Sequence, residues 1–311
     1  MGMKTNLSKE DFENILSNYN LGKYKNFKVF AHGGVQTTLL LRTTKGKFVL
    51  RYYEHRSEEW VLFEIKLFQY LMRKNYPIPI IIKNSAGKFY GKYKNKPYVI
   101  IEYLKGQHGK NPNDFFDKTK VSNVVKIISC LHNLTRENVP GFFNGHEKFD
   151  AEYCLREYKK IPRKIKISER EKWLKNQLSI LEFPKFLPKG LCHADLNHGN
   201  FLFKTGKIVG VLDFDMSFYS YFIYDVASLI YWWAWPPKEG FSLFKSKFIL
   251  NEYIKNRKLN ESEKHHVYDA LKLIILLGIS WSEDNEFDSE KEKIEFLNNI
   301  GRENFYQKLF Y

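Results

Sequence analysis

Near residue 105 the spacing of apolar residues changes from strand-like runs to a helical repeat, and this switch most limits what the chain can fold into. Upstream, short runs rich in β-branched and aromatic residues at 27–30, 37–43 and 47–53 read as strands, the last two joined by Thr44-Lys45-Gly46. A second hairpin is expected from 80–82, through Gly87 and Gly91, to 97–103. Two helices belong to this part. One, over 11–19, carries Phe12, Ile15 and Leu16; the other, over 58–75, carries Val61, Leu62, Ile65, Phe68 and Leu71 and is ended by Pro77 and Pro79. Downstream, 121–134 is apolar at Val124, Val125, Ile128, Leu131 and Leu134, and long helical segments run from Asp225 to the end. A compact strand pair interrupts them, 200–203 and 208–214 around the turn 204–207. The expected class is α+β with two lobes: an antiparallel-sheet lobe over 1–101, a hinge over 102–107 and a mainly helical lobe over 108–311. A cleft between such lobes is the expected ligand site.

Composition narrows the setting. Of 311 residues, 43% are hydrophobic and 17% aromatic, too apolar for a disordered chain even at a formal net charge of +15. Cys130, Cys154 and Cys192 are far apart and match no metal spacing, which suits a reducing cytoplasm. The first ten residues are polar, without the apolar stretch of a signal peptide. The most apolar runs, 224–237 and 271–281, fall short of the ~20 residues a bilayer requires, so no membrane partner is expected. The densest basic stretch, 156–175, contains glutamates and Pro162 and follows no nucleic-acid motif. It reads as solvated surface, with no nucleic-acid partner. A monomer or homodimer is expected.

The chemistry concentrates in 191–215, LCHADLNHGNFLFKTGKIVGVLDFD. Phosphoryl transfer needs an aligned nucleophile and cations beside the phosphates rather than covalent help. Asp195 on a loop suits the carboxylate that orients an attacking hydroxyl and accepts its proton. Asn200 and Asp213 offer the hard oxygens that Mg²⁺ prefers, and a hairpin between them would return Asp213 beside Asn200. Each residue alone would be read as a loop cap or strand end; the joint spacing favours a site. His193 is expected to stabilise the loop, and His198 and Gly199 to be loop residues.

His193, Asp195 and Asn200, as H-x-D-x₄-N, followed by Leu212-Asp213-Phe214, resemble the catalytic and metal loops of the aminoglycoside phosphotransferase and choline kinase superfamily, which has a protein-kinase-like fold. Tyr224-Asp225-Val226-Ala227 is similar to its Y-D-L-A helix start, where Asp225 would support the catalytic loop and cap its helix. The resemblance implies ATP and Mg²⁺ as cofactors, a nucleotide-covering turn with Gly33, Gly34 and Thr37, and a basic strand residue on the phosphates. That residue is Arg51, where lysine is commoner in the superfamily. Its helix partner would be Glu58, Glu59 or Glu64, with Glu64 favoured by its distance. Glu102 and Leu104 would contribute hinge backbone to adenine. GGVQTTLLLRTTKGKFVLRYYE, PIPIIIKNSAGKFYGKYKNKPYVIIEYLKG and CLHNLT place the resemblance nearest the homoserine kinase branch, over roughly residues 27–280. Asp215 departs from it, since an acid is unusual there in homoserine kinases.

These features imply a phosphotransferase acting on a small-molecule hydroxyl, with a homoserine-like or amino-alcohol acceptor favoured. An aminoglycoside phosphotransferase and a pseudokinase with a binding or structural role are the alternatives. The acidic stretch 281–295 could attract a cationic acceptor, and Trp232, Trp233 and Trp235 could cage an ammonium group. The competing readings are an exposed helix start and ordinary core.

Overall fold

The computed structural model describes residues 5–30, 36–109, 116–136, 141–143, 148–160, 168–236, 239–282 and 284–311. Chain contacts divide it into two compact units. One takes Met1–Gly109 with Phe201–Leu212, the other Lys110–Asn200 with Asp213–Tyr311.

The first unit begins with α1 (Lys9–Ser17), whose Ser8 and Asp11 form a reciprocal capping box. A five-stranded antiparallel sheet follows, built from β1 (Tyr24–Val29), β2 (Thr37–Thr43), β3 (Gly46–Tyr52), β4 (Gly91–Tyr93) and β5 (Lys96–Glu102) in the order β1-β2-β3-β5-β4. Between β3 and β4 runs α2 (Glu58–Arg73), opened by the Ser57 hydroxyl. Phe12, Ile15 and Leu16 of α1 pack on Leu39, Leu41, Leu50 and Ile100 of the sheet, which is the apolar face that the periodicity gave these elements.

The second hairpin differs from expectation. Its turn is Lys94-Asn95, both in left-handed backbone, and it joins β4 to β5. The stretch 80–82 contributes a single bridge, Ile81 to Ile101, because Pro77 and Pro79 leave little backbone free to extend a ladder. After β5, the short β6 (Gln107–His108) pairs with a later strand.

The second unit is mainly helical. It holds α3 (Lys118–Thr135), α4 (Ala151–Lys160), α5 (Ser168–Ser179) and the strand β7 (Lys189–Cys192). The hairpin β8 (Phe201–Lys204) and β9 (Lys207–Val211) follows in sequence, belongs to the first unit and completes the order β6-β8-β9. The expected hinge packs on it, because Gly210 lacks the side chain that Leu104 would otherwise strike at 2.5 Å. The chain re-enters the helical unit at Asp213, where β10 (Phe218–Tyr221) pairs antiparallel with β7. The helices α6 (Ile223–Ala234), α7 (Leu243–Asn256), α8 (Glu261–Trp281), α9 (Asp284–Ile300) and α10 (Arg302–Phe310) complete it. No described helix is long and apolar enough to cross a membrane.

The β7–β10 pair was not expected. Its strands are four residues each, too short for alternation to register. It positions the loop that follows β7, and it does so through close packing. A Cβ on Gly190 would lie 2.4 Å from the Phe222 ring and 2.8 Å from Thr135 Oγ1. Gly190→Ala should therefore lower stability by about 1–3 kcal/mol, the usual cost of overpacking. Thermal or urea unfolding measures this, and a loss within 0.3 kcal/mol would contradict the packing described.

Candidate active site

The loop after β7 carries His193, Ala194, Asp195 and Leu196, and its backbone is not free to hydrogen-bond as a helix or strand. Ala194 has φ 71°, a left-handed conformation that an L residue adopts at a cost. Side chains from α6 and α3 compensate. The fully buried Asp225 carboxylate accepts from the His193 amide at 2.8 Å and the Ala194 amide at 2.9 Å. His132 Nε2 donates to the same carboxylate at 3.0 Å. Ser228 Oγ lies 3.4 Å from the Leu196 amide, and the Trp233 indole N–H donates to the Leu196 carbonyl at 2.8 Å. Asp225 does not cap its own helix. The N-cap is Phe222, and the carboxylate is turned to the loop instead.

His132 is neutral in this arrangement. Burial holds its pKa below the ordinary value even though Asp225 pulls the other way, and its Nδ1 lies 2.6 Å from the Tyr253 hydroxyl. With Nε2 protonated toward Asp225, Nδ1 accepts from Tyr253. Behind Tyr253, Arg257 pairs with Glu263 at 2.7 Å, both buried. The polar chain thus runs from the loop to the N-terminal turn of α8.

Asp195 is held by two amides. Asn197 Nδ2 donates to Oδ1 at 2.8 Å, and Asn200 Nδ2 donates to Oδ2 at 2.9 Å and to the Asp195 carbonyl at 2.8 Å. The Asn200 amide nitrogen faces Asp195, so its Oδ1 is the oxygen left to meet a ligand. Burial, and after it the neighbouring Asp213 carboxylate, raises the Asp195 pKa. Asp213 has φ 60° and stands at the start of the 3₁₀ turn Phe214–Met216, where Asp215 is buried. The β8–β9 register sets Phe201 opposite Val211, so Asn200 and Asp213, thirteen residues apart, flank the same open end of that hairpin. His193 is fully buried, its ring 4.5 Å from Phe214, consistent with a loop-stabilising part.

In the sheet unit, Arg51 on β3 pairs with Glu64 on α2 at 3.5 Å, and the Tyr53 hydroxyl also donates to Glu64. Glu58 is engaged instead by Lys92 and the Tyr90 hydroxyl, and a hydrogen bond from Ser57 lowers the pKa of Glu59. Of the three glutamates, Glu64 is the one the fold brings to Arg51. Thr37 is fully buried with its hydroxyl donating to Glu54 at 2.5 Å, so that hydroxyl does not face a ligand. Glu102 ends β5, with its amide bonded to the Ile80 carbonyl. Gly33 and Gly34 lie outside the described residues.

Of the acceptor features, Trp233 and Trp235 are core and Trp233 serves the loop, which disfavours a cage. In the acidic stretch Glu290 pairs with Lys293 at 2.5 Å and Glu295 with Lys291 at 3.3 Å, so part of its charge is compensated locally. The reading from sequence passed over Asn197, a variable position of the quoted motif only two residues from Asp195, and also His132 and Tyr253, which no local spacing links to Asp195.

The family model described as phosphotransferase enzyme family matches residues 26–251. A homoserine kinase of Bradyrhizobium diazoefficiens is 27% identical over 271 residues, 85% of this chain and 80% of the relative. One from Rhodopseudomonas palustris is 28% identical over 277 residues, 88% and 82% respectively. Among solved structures, an amicoumacin kinase in complex with AMP-PNP and Ca²⁺ has TM-score 0.73 at 19% identity, covering 94% of this chain and 92% of that one. A microcompartment-associated aminopropanol kinase has TM-score 0.68 at 16% identity, covering 98% and 99%. The expected protein-kinase-like fold is thereby found.

Acid should destabilise the loop region. Unfolded, an imidazole takes up its proton near pH 6.5; in the fold, burial lowers His198 to about 4 and lowers His132 as well. Between pH 6.5 and 4 the unfolded chain binds the extra protons, so stability falls as pH falls. His198→Gln should remove about 2 kcal/mol of the stability difference between pH 7 and pH 5. Urea titrations at pH 7 and pH 5 test it; an unchanged difference between the two pH values would contradict it.

Proposed function

Because the chain belongs to the phosphotransferase enzyme family, we propose that it is a small-molecule kinase that moves the γ-phosphate of ATP to the hydroxyl of a homoserine-like or amino-alcohol acceptor. The observation that carries the reading is Asp195, mostly buried, with both carboxylate oxygens held by amides and a second carboxylate close by. Asp195 accepts the acceptor's proton as its oxygen attacks phosphorus. A raised pKa makes it a better base at neutral pH than an ordinary aspartate. The two amides aim it, supplying orientation that a free carboxylate lacks.

The donor set fits Mg²⁺. Asn200 Oδ1 and the Asp213 carboxylate are both hard oxygens, and a cation would relieve the repulsion that Asp213 imposes on Asp195. Bound there, Mg²⁺ supplies positive charge to the phosphate oxygens. Arg51, steadied by Glu64, would contact the α- and β-phosphates, with a fork of donors where lysine offers a point charge. Gly33 and Gly34 would cover the phosphates, and Glu102 and Leu104 would offer backbone groups to adenine. The acceptor class is supported by the homoserine kinase relatives, which match over most of both chains. Asp215 keeps other amine-bearing acceptors, aminoglycosides included, among those to be assayed.

ADP release with Mg²⁺, across homoserine, ethanolamine, choline, aminopropanol and aminoglycosides, tests this. Asp195→Asn should lower kcat for the preferred acceptor by about 10²–10⁴-fold with the fold intact. Full activity in that variant would remove Asp195 from the chemistry, and no turnover without measurable ATP binding would favour a pseudokinase.

A further inference from the structure

Glu54, two residues past the end of β3, is absent from every role given above, yet its side chain is only 2% exposed and it gathers donors from three separate parts of the chain. Thr5 donates through its amide at 3.0 Å and its hydroxyl at 2.8 Å. The Thr37 hydroxyl donates at 2.5 Å, and Lys96 Nζ at 2.5 Å. The Glu54 amide in turn donates to Gln36 Oε1 at 2.7 Å, and Gln36 is itself 95% buried by virtue of its 5% exposure. Burial alone would raise the Glu54 pKa; the hydrogen bonds from Lys96, Thr37 and Thr5 outweigh it and bring the value to about 2. The carboxylate is therefore ionised at any pH at which the protein would be assayed.

The register explains what this carboxylate joins. Thr37 opens β2 opposite Tyr52 of β3, and Tyr52 lies opposite Tyr98 of β5, which begins at Lys96. The start of β2, the end of β3 and the start of β5 thus lie at one end of three adjacent strands, and Glu54 ties all three to the N-terminal segment. Arg51 is three residues back along β3, opposite Thr38 of β2. Gln36 and Thr37 are where the chain enters β2 from β1.

We propose that Glu54 is a positioning residue for the nucleotide: it fixes the start of β2 and the end of β3, and so the register of Arg51 against the triphosphate. This rests on the kinase reading above. A merely structural staple would cost stability and leave nucleotide affinity unchanged; a positioning residue moves nucleotide affinity specifically.

Calorimetric titration of MgAMP-PNP and steady-state kinetics of full-length wild type, Glu54→Gln, Gln36→Met and Thr5→Val separate the two. Glu54→Gln should raise the nucleotide Kd and the KM for ATP about tenfold, with kcat and the acceptor KM within twofold, the signature of lost binding common to ground and transition states. Gln36→Met, which keeps the carboxylate, should give a smaller rise of the same kind. Thr5→Val should lower stability and leave nucleotide affinity unchanged. A folded Glu54→Gln with wild-type nucleotide affinity overturns the inference; if that variant does not fold, wild-type affinity in Gln36→Met overturns it. Wild-type protein that binds no nucleotide would overturn the kinase reading and this inference with it.

Discussion

The carboxylate of Asp225 is the interaction on which the helical unit's chemistry depends. The loop that carries Asp195 passes through a left-handed residue, Ala194, and the amides of His193 and Ala194 find no partner in a helix or ladder. Left buried and unpaired, each would cost about 1–3 kcal/mol. Asp225 satisfies both, and its charge is offset by a histidine N–H rather than by a cation. Tyr253 holds that histidine from α7, while Arg257 and Glu263 sit behind Tyr253. Four helices are thereby committed to the shape of one short loop.

With the loop fixed, electrostatics sets the rest. The Asp195 and Asp213 carboxylates are brought close, and Asp195 responds with a raised pKa because burial and a like charge both disfavour its ionised form. Such an arrangement is costly to an isolated protein and useful to one that meets a cation and a phosphate. In the sheet unit the pattern is the reverse: Arg51 is matched to Glu64, and Glu54 is surrounded by donors. There, charge is paired in advance and serves to place strands.

Much of this was legible in the sequence because it is local or periodic. Strand β2 was read with its observed limits, and α2 and α3 within three residues, since their apolar faces repeat over several turns. Asp195, Asn200 and Asp213 could be placed together because one short hairpin separates the last two. The contacts that shape the loop were not legible. His132 meets Asp225 across 93 residues, and Tyr253 meets His132 across 121, so no spacing reports them. Thr37 shows the opposite failure, where a residue in a plausible place turns its hydroxyl to a buried carboxylate. The hairpin expected from 80–82 is one bridge, because Pro77 and Pro79 limit the ladder as well as ending the helix before them.

The central claim is that Asn200 and Asp213 hold the cation through which this chain grips ATP beside Asp195. Titrating MgAMP-PNP into wild type and Asp213→Ala, each with Mg²⁺ and with EDTA, tests it most directly. The account predicts wild-type binding that weakens at least tenfold when Mg²⁺ is withdrawn, and weak binding indifferent to Mg²⁺ in the variant. Equal Mg²⁺ dependence in both proteins would contradict it.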